Sequence, residues 1–242
     1  MGHRKVLPLR RRSTGQTARP SPTGRRRGRP HLIAEAERRD LVLSAAEQVF
    51  VELGYTAASM DDIARRARMS KKTLYRFFET KEALFAAVIA ARRAELDATI
   101  DSDDVAETRP PETVLRLLLT KVACFVLAPR QAALYRLVLA ESHRAPELAR
   151  AFHHDGPNKA CQMLNDWLAS QHARGNLHIA DPSSAAGMLF SMVVGEPQMR
   201  VLVGDCCAPE RDQIEQRVAQ AVELFMRGAR PDKKVRRQIE RG

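Results

Sequence analysis

Apolar residues recur along most of this chain at intervals of three and four, and alternation of single apolar and polar residues is nowhere sustained. The first apolar stripe contains Leu41, Ala45, Val49 and Leu53. This spacing is the repeat of an amphipathic α-helix rather than of a β-strand. The pattern therefore predicts an all-α protein with no sheet.

Proline, glycine or a small hydroxyl residue marks many of the predicted helix ends. The predicted helices are approximately Ala34–Leu53, Met60–Ala67, Lys71–Phe78, Lys81–Ile100, Glu112–Leu127, Arg130–His143, Pro146–His153, Pro157–Arg174, Pro182–Gly195 and Pro209–Arg227. Pro182 and Pro209 are interpreted as first-turn prolines. A polar, acidic stretch, Asp101–Pro111, separates the first four helices from the others.

The stretch from Gly54 to Leu84 predicts two short helices around a tight turn, followed by a long helix. Gly54 ends the preceding helix, and Ser59 and Ser70 are placed to cap the two short ones. Asp62, three residues after Ser59, completes a capping box. Small or apolar residues supply the inner faces: Ile63, Ala64, Ala67, Met69 and Leu74. This arrangement predicts a helix-turn-helix unit.

The second short helix has a polar, cationic outer face suited to DNA. Its N-terminus offers unpaired N–H groups and the positive end of the helix dipole to phosphate. Lys and Arg supply salt-dependent affinity, whereas contacts with base edges supply specificity. The candidate DNA-binding residues here are Ser59, Lys71, Lys72, Thr73, Tyr75, Arg76 and Lys81. Taken alone, Lys71–Arg76 could equally be a solvated helix face.

Basic residues are concentrated at the two ends of the chain. The formal net charge is +11, and residues 1–30 contain ten Lys or Arg and no acid. Residues 230–242 contain six Lys or Arg and two acids, which leaves the intervening body slightly acidic. Such tails bind polyanions without reading sequence, or serve only solubility. Arg27 and Arg29 lie in an Arg-Gly-Arg-Pro strip that resembles the AT-hook core and suits the minor groove.

Tyr55, Ser59–Ala64, Ser70-Lys71, Thr73–Tyr75, Phe78 and Lys81–Leu84 together resemble the signature of the TetR family of bacterial transcriptional regulators. The resemblance covers roughly residues 36–90. It implies three helices for DNA and a larger helical domain for ligand binding and dimerisation. By resemblance, Lys71, Lys72 and Tyr75 face bases or the adjacent backbone, and Ser59, Thr73 and Lys81 face phosphates.

Two residues depart from the family pattern. Arg68 stands where the family usually has glycine, and a positive φ at Arg68 would cost on the order of 1 kcal/mol. Either the turn adapts, or a phosphate contact of Arg68 offsets the strain. Phe77 stands where the family often has tyrosine, so a hydroxyl donor is missing there.

The C-terminal half resembles the AefR-like regulatory domain of the same family through Leu134–Glu141, Pro146–Phe152 and Gly175–Leu177. That resemblance implies a pocket between central helices and a four-helix dimer interface formed by the last two helices. The nominated pocket residues are Phe125, Tyr135, Phe152, Trp167 and Met192, and each could instead be ordinary core. The nominated interface residues are Ile214, Val218, Val222 and Phe225, which could instead pack within their own chain.

The predicted organisation has four parts: a disordered arm (1–30), a DNA-binding domain (31–81), an effector-binding and dimerisation domain (82–229), and a basic tail (230–242). We expect a ligand-responsive repressor that binds a palindromic operator as a homodimer in the bacterial cytoplasm. Its effector would be small and hydrophobic or aromatic. The main alternative is an architectural DNA-binding protein driven by its basic tails.

Other classes of protein find little support in the sequence. There is no Gly-rich phosphate loop, zinc-ligand spacing or nucleophile motif, so an enzyme is disfavoured. No cofactor, metal site or membrane association is predicted. The four cysteines lack CxxC spacing, which favours a reducing compartment over a disulfide-stapled domain.

Overall fold

The computed structural model describes residues 35–100, 109–155 and 157–229. All the regular secondary structure within these ranges is helical, which confirms the all-α prediction. The helices are α1 (Glu35–Leu53), α2 (Met60–Arg66), α3 (Lys71–Phe77), α4 (Lys81–Thr99), α5 (Pro111–Val126), α6 (Pro129–Glu141), α7 (Pro146–Asp155), α8 (Pro157–Ala173), α9 (Pro182–Phe190), α10 (Glu196–Val203) and α11 (Arg211–Ala229). A π-helical turn, Ser191–Gly195, joins α9 to α10.

Helices α1 to α4 share one hydrophobic core with α6 and α7. The centre of this core is aromatic: the ring of Phe50 lies 5.4 Å from that of Tyr55 and 5.7 Å from that of Phe85. Tilted and edge-on ring pairs at such distances add to the stabilisation from burial. Leu134 and Leu148 bring α6 and α7 into the same cluster. The helix-turn-helix therefore packs against α6 and α7, whose residues come more than fifty positions later in the chain.

A second core is formed mainly by α5, α8, α9 and α11, with α8 packed on α9 and α5 packed on α11. Helix α4 contributes to both cores, because Val88 and Ile89 belong to the first and Leu96 to the second. The predicted domain boundary at 81/82 falls at the start of this shared helix. Side chains buried by α4 thus connect the helix-turn-helix to the larger helical body.

The predicted end at Gly195 of the helix that begins at Pro182 is wrong. The helical path continues through α10 to Gly204, whose φ of 80° forms a left-handed cap. Pro197 lacks the N–H group that an α-helix would use, and the adjoining π-helical turn accommodates the interruption. Proline near the start of a helical segment is compatible with continuation.

Helix α11 begins later than predicted. Its first residue is Arg211, so Pro209 precedes the helix and is not a first-turn proline. The backbone N–H of Ile214 donates to the carbonyl of Glu210 at 3.1 Å, and the side chain of Gln213 accepts from the N–H of Glu210 at 3.0 Å. These bonds place Glu210 at the cap position.

The nominated dimer-interface residues face the core of their own chain. Ile214, Val218 and Val222 are buried, and Phe225 packs against the same cluster. The predicted apolar stripe is present, but it packs within its own chain, because periodicity indicates burial and not which surface covers the stripe. Large apolar side chains that are exposed on these last helices are Met188, Met199, Val203 and Leu224.

Leu41 and Leu53, assigned to the buried stripe of α1, are about half exposed, and Val42, Val49 and Phe50 fill the buried face instead.

In the described ranges no helix alone has the length and hydropathy to span a membrane, while α5 and α6, bent by 63°, meet those criteria only as a pair.

Candidate nucleic-acid interface and effector cavity

Helix α2 is fixed at its start by the predicted capping box. The hydroxyl of Ser59 accepts from the N–H of Asp62 at 3.1 Å, and the carboxylate of Asp62 accepts from the N–H of Ser59 at 3.2 Å. The hydrogen bond from the Ser59 hydroxyl is the main cause that lowers the pKa of Asp62. Reciprocal bonds of this kind satisfy two N–H groups that the helix leaves unpaired. Ser59 itself stays exposed, and its hydroxyl donates to the carboxylate of Asp62.

The turn between α2 and α3 keeps the geometry for which glycine is usual. Arg68 has a φ of 54°, and among described non-glycine residues it is the one with positive φ. The N–H of Met69 donates to the carbonyl of Ala64 at 2.9 Å, closing the end of α2. The turn has therefore not adapted to the side chain, and the strain on the order of 1 kcal/mol is retained. Arg68 projects from an exposed position beside α3.

Helix α3 divides into an anchored side and a solvent-facing side. Ser70 caps it by accepting from the N–H of Thr73 at 3.1 Å. Leu74 is 0% exposed and is the residue of α3 that is fully buried. The predicted DNA-facing residues lie outward: Lys71, Lys72 and Arg76 are exposed, and Tyr75 is 41% exposed. The rotation of α3 inferred from its sequence thus agrees with the structure.

The candidate side chains Lys71 and Thr73 also have partners within the helix-turn-helix. The ammonium of Lys71 lies 2.8 Å from the carboxylate of Asp61, and this pair raises the pKa of Lys71. Thr73 is half-buried, with its hydroxyl 2.8 Å from that of Ser70. Because both members of the Lys71–Asp61 pair are solvent-exposed, the pair is weak and can be exchanged for a phosphate contact.

Lys81 is placed differently from the sequence expectation of a phosphate clamp. Its ammonium donates to the carbonyls of Tyr55, Thr56 and Ala58 at 2.8, 3.3 and 3.0 Å. It also lies 4.5 Å from the centre of the Tyr55 ring. A lysine has three N–H donors, and all three are used within the protein. Lys81 thereby ties the loop before α2 to the start of α4.

The arginines of the N-terminal arm, Arg27 and Arg29, lie outside the described residues. Their assignment to the minor groove stays a prediction. The predicted disordered arm (1–30) and basic tail (230–242) also lie outside the described residues and stay predictions.

A buried carboxylate connects α1 with α4 and α6. Glu47 accepts from the Nε and Nη2 of Arg130 at 2.5 and 2.6 Å, and its other neighbour is the Nε of Arg92 at 3.5 Å. The side chains of Glu47 and Arg92 are 6% and 10% exposed. Burial lowers the pKa of the Arg92 guanidinium, and the charge of Glu47 opposes that effect. Since buried charges need partners, any displacement of Arg92 alters the pairing of Glu47 on α1.

A second contact joins α6 to the loop after α1. The hydroxyl of Thr56 donates to the carboxylate of Glu141. The backbone passes close to the same group at Gly54, whose φ is 82° and where an added Cβ would lie 2.9 Å from the Glu141 Oε1. Glycine therefore serves both the backbone turn and the close approach of α6.

A narrow cavity lies beside α4 in the larger helical body. It is lined by Ile89, Arg92, Arg93, Leu96, Phe125, Val126, Gln131, Tyr135, Phe152 and Gln198, and its volume is about 30 Å³. The rings of Tyr135 and Phe152 are stacked, with centres 5.2 Å apart and planes inclined by 16°. The wall is thus largely apolar and aromatic, with a few polar groups, as in many ligand sites.

Three of the five nominated pocket residues line this cavity together: Phe125, Tyr135 and Phe152. Trp167 and Met192 do not line it and instead pack at the edge of the second core. The sequence missed Arg92, Arg93 and Glu47. No local pattern marks them, because Arg92 and Arg93 adjoin each other and Glu47 adjoins Gln48. Arg130, which binds Glu47, lies 83 positions later in the chain.

Two parts of the described chain match known family models. Residues 42–88 match the model of bacterial regulatory proteins of the tetR family. Residues 113–228 match the C-terminal domain of AefR-like transcriptional repressors. The solved structure of the flavonoid-responsive regulator FrrA is 32% identical, covers 81% of this chain and 98% of its own, and has a TM-score of 0.68. This chain belongs to the TetR family.

Two other relatives are similar over most or part of the chain. A TetR-family regulator from Mesorhizobium loti is 25% identical, with 82% of this chain and 100% of that one covered and a TM-score of 0.71. The transcriptional activator FasR of Mycolicibacterium smegmatis is 48% identical over 66 residues, which are 27% of this chain and 29% of FasR. The match to this curated relative therefore spans under a third of its length.

Proposed function

We propose that this TetR-family protein is a sequence-specific DNA-binding repressor that responds to a small effector. The observation that carries the proposal is helix α3, which buries Leu74 completely while it presents Lys72, Tyr75 and Arg76 to solvent. A short helix anchored on one side and cationic on the other fits the major groove of DNA. The match to AefR-like repressors favours repression over activation.

The proposed DNA contacts fall into three classes. Lys71, Lys72 and Tyr75 are assigned to bases or the adjacent backbone, and Ser59, Thr73 and Arg76 to phosphates. Arg27 and Arg29 are assigned to the minor groove, where arginine binds narrow tracts. Lys81 we assign instead to holding the loop before α2, because its donors are used by backbone carbonyls.

Operator binding would be carried out by a homodimer. Two copies of α3 would enter major grooves one helical turn apart, at about 34–36 Å. The exposed apolar side chains Met188, Met199 and Leu224 are the proposed contact between copies, in place of the residues buried within one chain. Ser191 and Gly195, exposed between Met188 and Met199, are small enough to let helices approach closely.

The effector site would be the cavity beside α4. Its aromatic wall suits a hydrophobic or aromatic compound, and the similar regulator FrrA is described as flavonoid-responsive. Helix α4 belongs to both hydrophobic cores, so a ligand that moves it shifts the pair formed by Arg92 and Glu47. Differential binding of the ligand to two arrangements would couple the sites by about 1–3 kcal/mol.

Selection of bound fragments from the source genome tests the proposal. A regulator enriches a palindromic sequence with two half-sites one turn apart, upstream of particular genes. The basic tails alone would enrich DNA without such a sequence. A version lacking residues 1–30 separates the two, because palindrome-specific binding that survives the deletion contradicts the architectural alternative.

The dimer is tested by light scattering after size-exclusion chromatography. Leu224→Glu places a charge on the proposed contact and should shift the protein towards the mass of one chain. Leu139→Glu, on the exposed side of α6, is the matched control and should leave the mass unchanged. Equal behaviour of the two variants would contradict the proposed surface.

A further inference from the structure

One side chain of the cavity wall has an unused donor. The Nη1 of Arg93 is buried and has no hydrogen-bond partner, which is true of few side-chain atoms in the described part of the chain. Arg93 lines the cavity beside α4 together with Phe125 and Tyr135. A buried charged donor without a partner is unfavourable, because it has lost water and gained nothing in exchange.

The guanidinium of Arg93 is already oriented. Its Nε donates to the carboxylate of Asp97 at 2.7 Å, one turn further along α4. That bond uses the Nε edge of the planar guanidinium, and Nη1, on another edge, still has its donors unused. Asp97 is half exposed, so its negative charge is partly screened by water. The arrangement holds an arginine donor in a fixed direction and leaves capacity for an acceptor.

The remaining wall suits the body of an amphipathic molecule. Phe125, Tyr135 and Phe152 supply apolar and aromatic surface, while Gln131 and Gln198 add amide groups. The present volume of about 30 Å³ is sufficient for a water molecule and not for an organic compound. A ligand must therefore push the wall apart as it enters.

We propose that the effector cavity takes a small amphipathic organic acid, whose carboxylate accepts from the Nη1 of Arg93 and whose apolar body lies against Phe125, Tyr135 and Phe152. This inference rests on the proposed function, because it names the chemical class of the effector. Arginine is well suited to this task, since its bonds to carboxylates are short and charge-assisted.

The neighbouring residue links occupancy of the cavity to the helix-turn-helix. Arg92 also lines the cavity and lies 3.5 Å from the buried carboxylate of Glu47 on α1. Adjacent residues on a helix move together when the wall opens. A carboxylate drawn to Arg93 also competes for the positive charge of Arg92, which weakens its attraction to Glu47. Binding of an acid is thus expected to lower affinity for the operator.

Titration calorimetry on the full chain tests the proposal with decanoate and phenylbutanoate, each compared with its neutral primary amide. The carboxylates should bind about tenfold more tightly than the amides, because a charge-assisted bond replaces a neutral one. Arg93→Gln should remove that preference, and Arg93→Lys should restore part of it. Arg116→Gln, which removes an arginine paired with Glu112 on α5, is the matched control and should keep the preference. Thermal melting without ligand checks that each variant folds.

Three results would overturn the proposal: equal binding of acids and amides, an acid preference that survives in Arg93→Gln, or no binding by either series. Operator affinity is measured separately with the DNA fragment found by selection. If the acids bind and DNA is not bound at all, the proposed function fails while the acid site stands. If DNA is bound and the acids are not, the acid site fails while the proposed function stands.

Discussion

Helices α3 and α4 each carry a pair of adjacent basic residues, Lys71-Lys72 and Arg92-Arg93, in opposite surroundings. The lysines are exposed at the start of a short helix, and the arginines lie in the middle of a long helix with little exposure. An exposed cation keeps its water and can exchange it for a phosphate, with an affinity that depends on salt. A buried cation must be paired within the protein, so a displacement of its partner changes the stability of the fold around it.

The two helices also differ in how many apolar side chains each buries. Helix α3 has one fully buried side chain, whereas α4 buries Leu84, Phe85, Val88, Ile89 and Leu96. A helix with so little burial depends on its caps and on that one anchor. A helix with two buried stretches can transmit displacement between them.

The largest effect is expected from removing the anchor of α3. Leu74→Ala should lower the free energy of unfolding by about 2–5 kcal/mol, because it leaves a cavity in the first core. Urea unfolding followed by circular dichroism measures the loss. Leu139→Ala, at a half-exposed position on α6, is the control. A loss no greater than that of the control would mean that α3 is not held by Leu74.

The next effect concerns the buried charges around α4. Glu47→Gln should lower the free energy of unfolding by about 1–3 kcal/mol, since it removes the buried negative charge that both Arg92 and Arg130 contact and leaves Arg92 paired with Glu95 alone. The value is below that for a fully enclosed pair because Arg130 is half exposed. Glu52→Gln, which breaks an exposed pair with Arg66, should cost on the order of 0.5 kcal/mol. Equal losses would remove the distinction between buried and exposed pairs.

The exposed lysines should affect DNA and not stability. Lys72→Ala is expected to reduce operator affinity by about tenfold and to lower the slope of log affinity against log salt by about one. Fluorescence anisotropy at several salt concentrations provides both numbers. Lys159→Ala changes an exposed lysine on α8 and should alter neither. A loss of folding in Lys72→Ala would show that this residue is structural.

The smallest effect is expected at the capping box of α2. The pKa of Asp62 is held below its usual range by the Ser59 hydroxyl, so the ionised carboxylate favours the folded state. Its stabilisation is therefore present at neutral pH and is lost as the pH falls through the depressed pKa. Unfolding of wild type and Asp62→Asn from neutral to acid pH should show their difference shrinking. In a Ser59→Ala background that difference should be smaller and flatter.

Local chemistry explains what could be predicted from sequence. The caps at Ser59 and Ser70 depend on residues within a few positions, and both are predicted from the chain. The sequence left open whether Arg68 keeps a positive φ or the turn adapts, and the structure has the positive φ. Burial of Val218 was also predictable, but the identity of its covering surface depended on the three-dimensional fold.

Long-range pairs were beyond that reasoning. Glu47 and Arg130 are 83 positions apart, and no local pattern joins them. The three carbonyls that bind Lys81 lie at least 23 positions earlier in the chain, so a lysine suited to phosphate was found to support a loop. The family pattern located Lys81 without revealing which acceptors its ammonium binds.

The π-helical turn at Ser191–Gly195 has a consequence for how this family can vary in length. Its hydrogen bonds span one residue more than those of an α-helix. Removal of a residue from an α-helix rotates everything after it by about 100°, because each turn holds 3.6 residues. Deletion of a single residue here can convert the wide turn to ordinary helix and spare the downstream segment that rotation. Alignments of homologous genes should accordingly place one-codon gaps at this point more often than within α8 or α11.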